Sequence, residues 1–362
     1  MALEFAHTTL GQRVLFGAGQ VASHLADEVD RLGARRIMVI ASNSAQKHVE
    51  DITRNIDVAL HYDDVVMHVP IEKAEKARAA AKTAEIDLII AIGGGSATGL
   101  AKAIALTSGL QIVAIPTTYS GSEGTNVWGL TQGSRKTTGT DNRVLPVTVI
   151  YDSKLTLSLP VELSVASGLN GMAHCIDALW GPRADPINAA LATEGIRALA
   201  EGLTNIVDQP HGINGRDQVL YGAYLAAVSF TSAGSGMHHK ICHVLGGTFN
   251  LPHAQTHATV LPYVLAFNAA HAPAAEQRIA SAFGSKTALE GLEKLQTKLD
   301  APRALADYGL TADDVAEAVE ISLPLIPESN PRAVTEQNLA ELLQAALKGD
   351  DPAALKYEPS RI

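Results

Sequence analysis

The chain has little cysteine, a deficit of positive charge and no long apolar run. Its two cysteines, Cys175 and Cys242, stand far apart in 362 residues. A disulfide framework is therefore not expected, and free thiols in a reducing cytoplasm are. Lysine and arginine total 28 against 38 acids, a formal net charge of -10. That argues against nucleic acid as the main partner, because a phosphate backbone calls for a basic surface. A small anionic ligand is still allowed, since a pocket needs only local cations and backbone donors. The opening MALEFAHTTLGQRV lacks a charged stretch followed by an apolar one. No apolar run reaches the roughly 18 residues that span a membrane. The expectation is a soluble, cytoplasmic protein with no membrane partner.

What is present is material for a large core. Hydrophobic residues make up 46% and charged residues 18%, a balance suited to a compact protein. The length exceeds the roughly 250 to 300 residues at which single cores stop growing, so two domains are expected. From residue 12 short β-branched runs alternate with helical patterns. RVLFGAG reads as a strand ending in a glycine turn, the stretch to Leu32 as a helix, and RRIMVIAS at 35–42 as a second strand. Further strands are expected at Val65 to Val69, Asp87 to Ile92 and Gln111 to Ile115, with helices over 72–85 and after Gly95. This rhythm implies a parallel sheet covered on both faces, with ligands at the carboxyl ends of its strands. VWGLT at 127–131, a polar turn RKTTGTDNR at 135–143 and a strand VTVIYD at 147–152 form a hairpin-like excursion. Beyond about 161 the pattern is alanine- and leucine-rich with helical period. The boundary is placed near 155, giving an α/β dinucleotide-binding domain (1–155) and an all-helical domain (156–362). The last residues, KYEPSRI, read as a loosely held tail.

Residues 236–257, GMHHKICHVLGGTFNLPHAQTH, hold five of the thirteen histidines. His239 and His243 are four apart, as are His253 and His257, so each pair shares a helix face. Gly246, Gly247 and Pro252 separate the two stretches and let the second turn back toward the first. The imidazoles would then converge on one pocket; coincidental surface or core histidines are the alternative.

DLIIAIGGGSATGLAKAIAL at 87–106 runs from a buried strand through Gly93, Gly94, Gly95 and Ser96 into a helix. Glycines let a phosphate approach, and the free N–H groups of the helix point at it, so a pyrophosphate is the natural guest. The spacing is neither GxGxxG nor a Walker loop. PTTYSGSEGT at 116–125 follows the next strand and offers Thr117, Thr118, Tyr119, Ser120, Ser122 and Thr125 for a ribose, an amide or a carboxylate. The second strand ends in Ala41, Ser42 and Asn43, where an acid often holds the adenosine ribose. None is present, so both NADH and NADPH are expected. SGLNGMAHCIDALW at 167–180 places Asn170 and His174 four apart. With His239 and His253 they could surround a divalent ion, but an amide is a weak ligand for a transition metal; three histidines alone could still hold zinc or iron.

These segments together resemble the iron-containing (group III) alcohol dehydrogenase superfamily along nearly the whole chain. GGGSATGLAKAIAL, IPTTYSGSEGTNVWGLTQGSRKTTGTDNRVLP and GMHHKICHVLGGTFNLPHAQTHA are most similar to its maleylacetate reductase branch. The resemblance implies the dehydroquinate synthase-like fold. The superfamily's metal-holding aspartate matches Asn170, its three histidine ligands match His174, His239 and His253, and a further histidine matches His243. Gly99 replaces an acid of the glycine-rich segment, and Lys136 matches a contact to the nicotinamide ribose. Asn170 is a departure that the reductase branch shares, which implies catalysis without a metal.

The activity so implied is reduction of the carbon–carbon double bond of a small dicarboxylate, maleylacetate, by NADH or NADPH. Charge builds on the ketone oxygen, where His243, His253 or their neighbours would act as donors. Lys240, His238 and Arg135, with Thr118, Tyr119 and Ser120, are the candidates for holding the carboxylates. The alternatives are a zinc- or iron-dependent alcohol or polyol dehydrogenase of the same fold, and a non-catalytic nucleotide-binding protein, against which the histidine cluster speaks. A lyase of the dehydroquinate synthase kind would call for its metal and a more basic phosphate site. A homodimer is the expectation for a closed symmetric oligomer.

Overall fold

The computed structural model describes residues 4–43, 45–133 and 135–355, and of Arg135 and Lys136 the backbone alone. The expectations for the side chains of Arg135 and Lys136 and for the tail 356–362 lie outside the described residues. Contacts divide the chain into two compact units: Leu10–Leu159 with His211–Leu220, and Met1–Thr9 with Pro160–Pro210 and Tyr221–Ile362. The break at Leu159 and Pro160 lies a few residues past the position placed near 155. The return of residues 211–220 to the first unit has no counterpart in the sequence pattern.

The first unit contains β1 (Arg13–Phe16), α1 (Val21–Leu32), β2 (Ile37–Ala41), α2 (Gln46–Thr53), β3 (Val58–Tyr62), α3 (Ile71–Thr83), β4 (Leu88–Gly93), α4 (Gly95–Ser108) and β5 (Gln111–Pro116). There follow β6 (Val127–Gln132), β7 (Arg135–Thr140) and β8 (Thr148–Tyr151). Six strands make one parallel sheet in the order β1-β8-β5-β4-β2-β3. Along β4, Leu88, Ile90 and Ile92 face the layer of α1 and α2, packing with Leu25, Val29 and Ile52. Ile89 and Ala91 face the layer of α3 and α4, packing with Ala74, Ala77, Leu100 and Ile104. A strand covered on both faces reads as an unbroken apolar run because its two-residue period feeds both layers.

Asp152, one residue past β8, ties the sheet to α1. The helix has no side-chain cap of its own. Instead the backbone N–H groups of Gly19 and Val21 donate to the Asp152 carboxylate at 2.7 and 3.3 Å, and Lys154 N donates to it at 3.0 Å. Gly19 has φ +77, and a Cβ there would come 2.7 Å from Lys154 Nζ. Glycine is required by the backbone, since the lysine tip could move aside.

Two local expectations are overturned. Val65 to Val69 is not a strand: His68 and Val69 have φ of 62 and 45, in the left-handed region that ends extended structure. Thr131 holds that turn, its N and Oγ1 donating to the carbonyls of Val69 and His68 at 3.1 and 2.7 Å. The edge strand is β3, whose Val58, Leu60 and Tyr62 are only half-buried. The polar stretch RKTTGT is not a turn but β7, antiparallel to β6 from Val127↔Thr140 to Gln132↔Arg135. Its polarity hid it, because the exposed strand packs through Trp128, whose ring would lie 2.6 Å from a Cβ at Gly139.

Every regular element of the described second unit is helical: α5 (Val161–Ala178), α6 (Pro186–Asp208), most of α7 (Ile213–Ala233), α8 (Met237–Thr248), α9 (His253–Ala269), α10 (Pro273–Phe283), α11 (Ala288–Lys298), α12 (Asp314–Ser322) and α13 (Glu336–Lys348). One core joins Ile241 and Leu245 of α8, Val260, Val264 and Phe267 of α9, and Leu339, Leu342 and Leu343 of α13. No described helix is long and apolar enough to cross a membrane. The α/β unit followed by helices is the architecture expected.

Because Asp152 supplies the cap that α1 lacks, Asp152→Ala should lower stability by about 1–3 kcal/mol. The measurement is the shift of the urea midpoint, followed by circular dichroism; an unchanged midpoint would remove this role.

Candidate active site

Three helices of the second unit carry the imidazoles. α5 presents Asn170, His174 and Asp177 at positions i, i+4 and i+7, one face of a helix. α8 presents His238, His239, Cys242 and His243, and α9 presents His253 and His257. The ring centroids of His174 and His239 are 4.7 Å apart and stacked, and Phe230 of α7 lies 4.7 and 4.3 Å from them. His257 lies 4.4 Å from His253 and 4.9 Å from His239, and His243 lies 6.4 Å from His253. The five histidines of the 236–257 window and His174 thus gather in one cluster, as their spacing implies.

Burial divides the cluster. His174, His238, His239, His257 and Asn170 are buried, His243 and Lys240 are half-buried, and His253 at the start of α9 is exposed. His238, expected at the substrate, turns inward instead, its Nε2 2.9 Å from His257 Nδ1.

Asp177, to which the histidine spacing does not point, sets the state of His239. Its Oδ2 accepts from His239 Nδ1 at 2.7 Å and from Gly236 N at 2.9 Å. A carboxylate only accepts, so Nδ1 carries the proton and Nε2, which is buried without a partner, presents a lone pair. Burial pushes the Asp177 carboxyl up to about 6, against the hydrogen bonds it accepts from the His239 and Gly236 backbone. Burial, and then neighbouring imidazoles, push His174 and His238 down to about 3 and hold His239 and His257 well below the usual range. These four rings are uncharged at neutral pH.

The residues matching the superfamily's metal ligands make a weaker set for a transition-metal ion than one with an acid at Asn170. Their donors are an amide and neutral imidazoles with no anionic ligand. Among the described residues, His174, His239 and His253 do not bring their ligand atoms within 4.8 Å of one another.

In the first unit the glycine turn sits where β4 enters α4. A Cβ on Gly94 would meet Thr118 Oγ1 and Cγ2 at 3.0 Å, one on Gly93 would meet Ser42 Oγ at 2.9 Å, and one on Gly95 would meet Ser120 Oγ at 3.5 Å. Thr117 N donates to Gly93 O at 3.0 Å. Ser42, Gly93 to Ser96, Thr117, Thr118 and Ser120 therefore gather at the carboxyl ends of β2, β4 and β5, with exposed Asn43 beside Ser42. The cradle fits a dinucleotide, since bare backbone and the N-terminal amides of α4 face its floor.

Two of the expected ligand contacts face inward. Tyr119 is fully buried, its hydroxyl accepting from Arg216 Nη1 at 3.1 Å. Thr125 Oγ1 accepts from Lys102 Nζ at 2.9 Å, and that ammonium also reaches the carbonyls of Ser122, Thr125 and Val127 at 2.6, 2.8 and 2.9 Å. Burial pushes Lys102 down to about 7. The one sequence signal for it is a lone lysine among the small apolar residues of α4.

The pH dependence of stability follows from the buried rings. Their folded pKa values lie below the unfolded value near 6.5, so the stability they contribute is present above about pH 6.5 and lost as pH falls toward 3. Thermal melts should shift steadily downward over that window, and His174→Gln should flatten the slope. Identical slopes for the two proteins would contradict the assignment.

Comparison with known proteins accords with this geometry. The family pattern "Iron-containing alcohol dehydrogenase" matches residues 11–153, and "Fe-containing alcohol dehydrogenase family, C-terminal" matches residues 164–347. A maleylacetate reductase from Sphingobium indicum is 42% identical over 97% of this chain and 99% of its own. The crystal structure of an iron-containing alcohol dehydrogenase from Corynebacterium glutamicum is 64% identical with a TM-score of 0.97, covering 98% of this chain and 100% of its own. The crystal structure of maleylacetate reductase from Agrobacterium tumefaciens is 38% identical with a TM-score of 0.91, covering 96% of this chain and 99% of its own. With the two family patterns together covering the sheet and most of the helices, the chain belongs to the iron-containing alcohol dehydrogenase family.

Proposed function

We propose that this chain is a maleylacetate reductase, an NAD(P)H-dependent oxidoreductase that reduces the carbon–carbon double bond of maleylacetate to give 3-oxoadipate, and that it works without a metal. The observation that carries the reading is the donor set. A histidine cluster of the family's shape has an amide at Asn170 where a metal would want an anion, while His243 and His253 remain accessible. The full-length likeness to curated maleylacetate reductases at 42% identity supports it.

The glycine turn at Gly93 to Gly95 and the first turn of α4, with Ser96, would hold the pyrophosphate. Thr117, Thr118 and Ser120 would serve the ribose or nicotinamide end, and Ser42 and Asn43 the adenosine ribose. An acid at those two positions would hold the 2′-hydroxyl of NADH and repel the 2′-phosphate of NADPH; with none there, neither is selected and both cofactors should serve. When bound, the reduced cofactor supplies the hydride that the alkene carbon next to the carboxylate receives.

The residues of the chain then manage charge and proton. Electron density moves onto the ketone oxygen, making an enolate whose negative charge the N-terminal end of α9 favours. A ring N–H of His253 or His243 donates to that oxygen, and the other protonates the former alkene carbon bonded to the ketone carbon, which completes 3-oxoadipate. His239, fixed by Asp177 with its Nε2 lone pair forward, acts as an acceptor and not as the acid. Lys240, half-buried on α8, is the cation placed to meet a substrate carboxylate. A homodimer remains the expected assembly.

The deciding experiment follows NADH oxidation with freshly prepared maleylacetate, using protein dialysed against EDTA. Turnover should survive metal removal, proceed with either cofactor, and fall about a hundred- to ten-thousand-fold in kcat for His253→Ala or His243→Ala. Loss of turnover that zinc or iron restores would instead favour an alcohol dehydrogenase, the name carried by the Corynebacterium glutamicum relative.

A further inference from the structure

His238, Cys242 and His257 make a second donor group that shares no residue with the family's ligand positions. Cys242 Sγ lies 3.6 Å from His238 Nε2, which lies 2.9 Å from His257 Nδ1. One ligand atom from each lies within 4.8 Å of the other two, and no other group of three histidine, cysteine or acidic residues among the described residues does so. All three side chains are buried, at 1% exposure or less. The outer nitrogens, His238 Nδ1 and His257 Nε2, have no partner. Without a metal, one of the two facing nitrogens donates to the other; with that proton moved to an outer nitrogen, both rings present bare nitrogens to an ion beside the sulfur.

Two neutral imidazoles and one thiolate form a soft donor set of low charge, suited to a cuprous, zinc or cadmium ion and poorly suited to magnesium or calcium. We propose that His238, Cys242 and His257 bind one thiophilic metal ion and that filling this site switches the enzyme off. On binding, two metal–nitrogen bonds and one metal–sulfur bond form. The thiol proton leaves to solvent, the proton shared between the two rings moves to an outer nitrogen, and no electrons are transferred.

Inhibition follows from position. His257 packs 4.4 Å from His253 and 4.9 Å from His239. A cation there would pin His257 and place positive charge among rings that the burial keeps neutral. The sign of the metal effect is then opposite to that of a metal-dependent dehydrogenase. This part of the inference rests on the metal-free reductase reading.

The test titrates cobalt(II) into EDTA-dialysed enzyme, recording the thiolate-to-cobalt charge-transfer band and NADH oxidation with maleylacetate on the same samples. Only Cys242 and Cys175 can give such a band, and Cys175 Sγ is packed 2.6 Å from where a Cβ on Gly195 would stand. One equivalent should raise the band and abolish turnover together, with EDTA reversing both. Cys242→Ser and Cys242→Ala should show no band and resist inhibition, and circular dichroism checks that either is folded. His174→Ala should keep the band. No band in the wild type, a band surviving in a folded Cys242 variant, or a band lost with His174 would overturn the site. Metal-free enzyme that is inert until cobalt is added would sink the reductase reading instead, and the band still reports which residues hold the ion.

Discussion

The second unit depends on keeping several imidazoles uncharged in a small buried volume. A charge on any of them would have to be desolvated beside others of the same sign. The fold avoids this by packing the rings against one another and against Phe230, and by giving His239 a carboxylate to donate to. Asp177 does more than bond a ring. Because the same oxygen receives the N–H of Gly236, it fixes where α8 begins, and with it where four of the cluster's side chains leave that helix. Orientation of the helix and choice of tautomer are set by one group.

The first unit meets a related difficulty with the opposite charge. The loop that follows β5 has to stay open to a dinucleotide yet hold its shape, and its backbone carbonyls have no sheet partners. Lys102 gathers two of them, with the Val127 carbonyl at the start of β6 and the Thr125 hydroxyl, around a single ammonium. Glu123 lies buried in the same loop, where the Tyr151 hydroxyl donates to it at 2.8 Å. The floor of the cradle is thus glycine backbone, and the wall behind it is organised from below by a buried cation.

Much of this was legible in the residue order. The runs LIIAIG and QIVAIP announce strands buried on both faces, the glycines before SATGL announce a phosphate turn, and histidines spaced by four on either side of Gly246 and Pro252 announce convergence. What was not legible lies where tertiary partners decide. Tyr119 and Thr125 look like ligand hydroxyls until Arg216 and Lys102 are seen behind them. The β7 residues look like a turn because their strand is exposed and polar, and Val65 to Val69 looks like a strand because left-handed backbone at valine has no signature. Asp177 was invisible for a different reason: its partner lies 62 residues away, and a lone acid on a helix usually faces water.

Arg216 carries a consequence for how the protein is made. Its guanidinium is buried in the α/β unit and donates to Thr156 O at 2.6 Å, 60 residues earlier in the chain. A ribosome that has finished the last strand of the sheet has therefore not yet made the group that closes its interior. The usual order, in which an amino-terminal domain completes itself before the next one emerges, does not apply here. During synthesis the sheet must wait for Arg216 until α5 and α6 have been translated and the start of α7 has come back to it. Neither half is a self-contained stretch of gene, so the two halves have to be inherited and exchanged together.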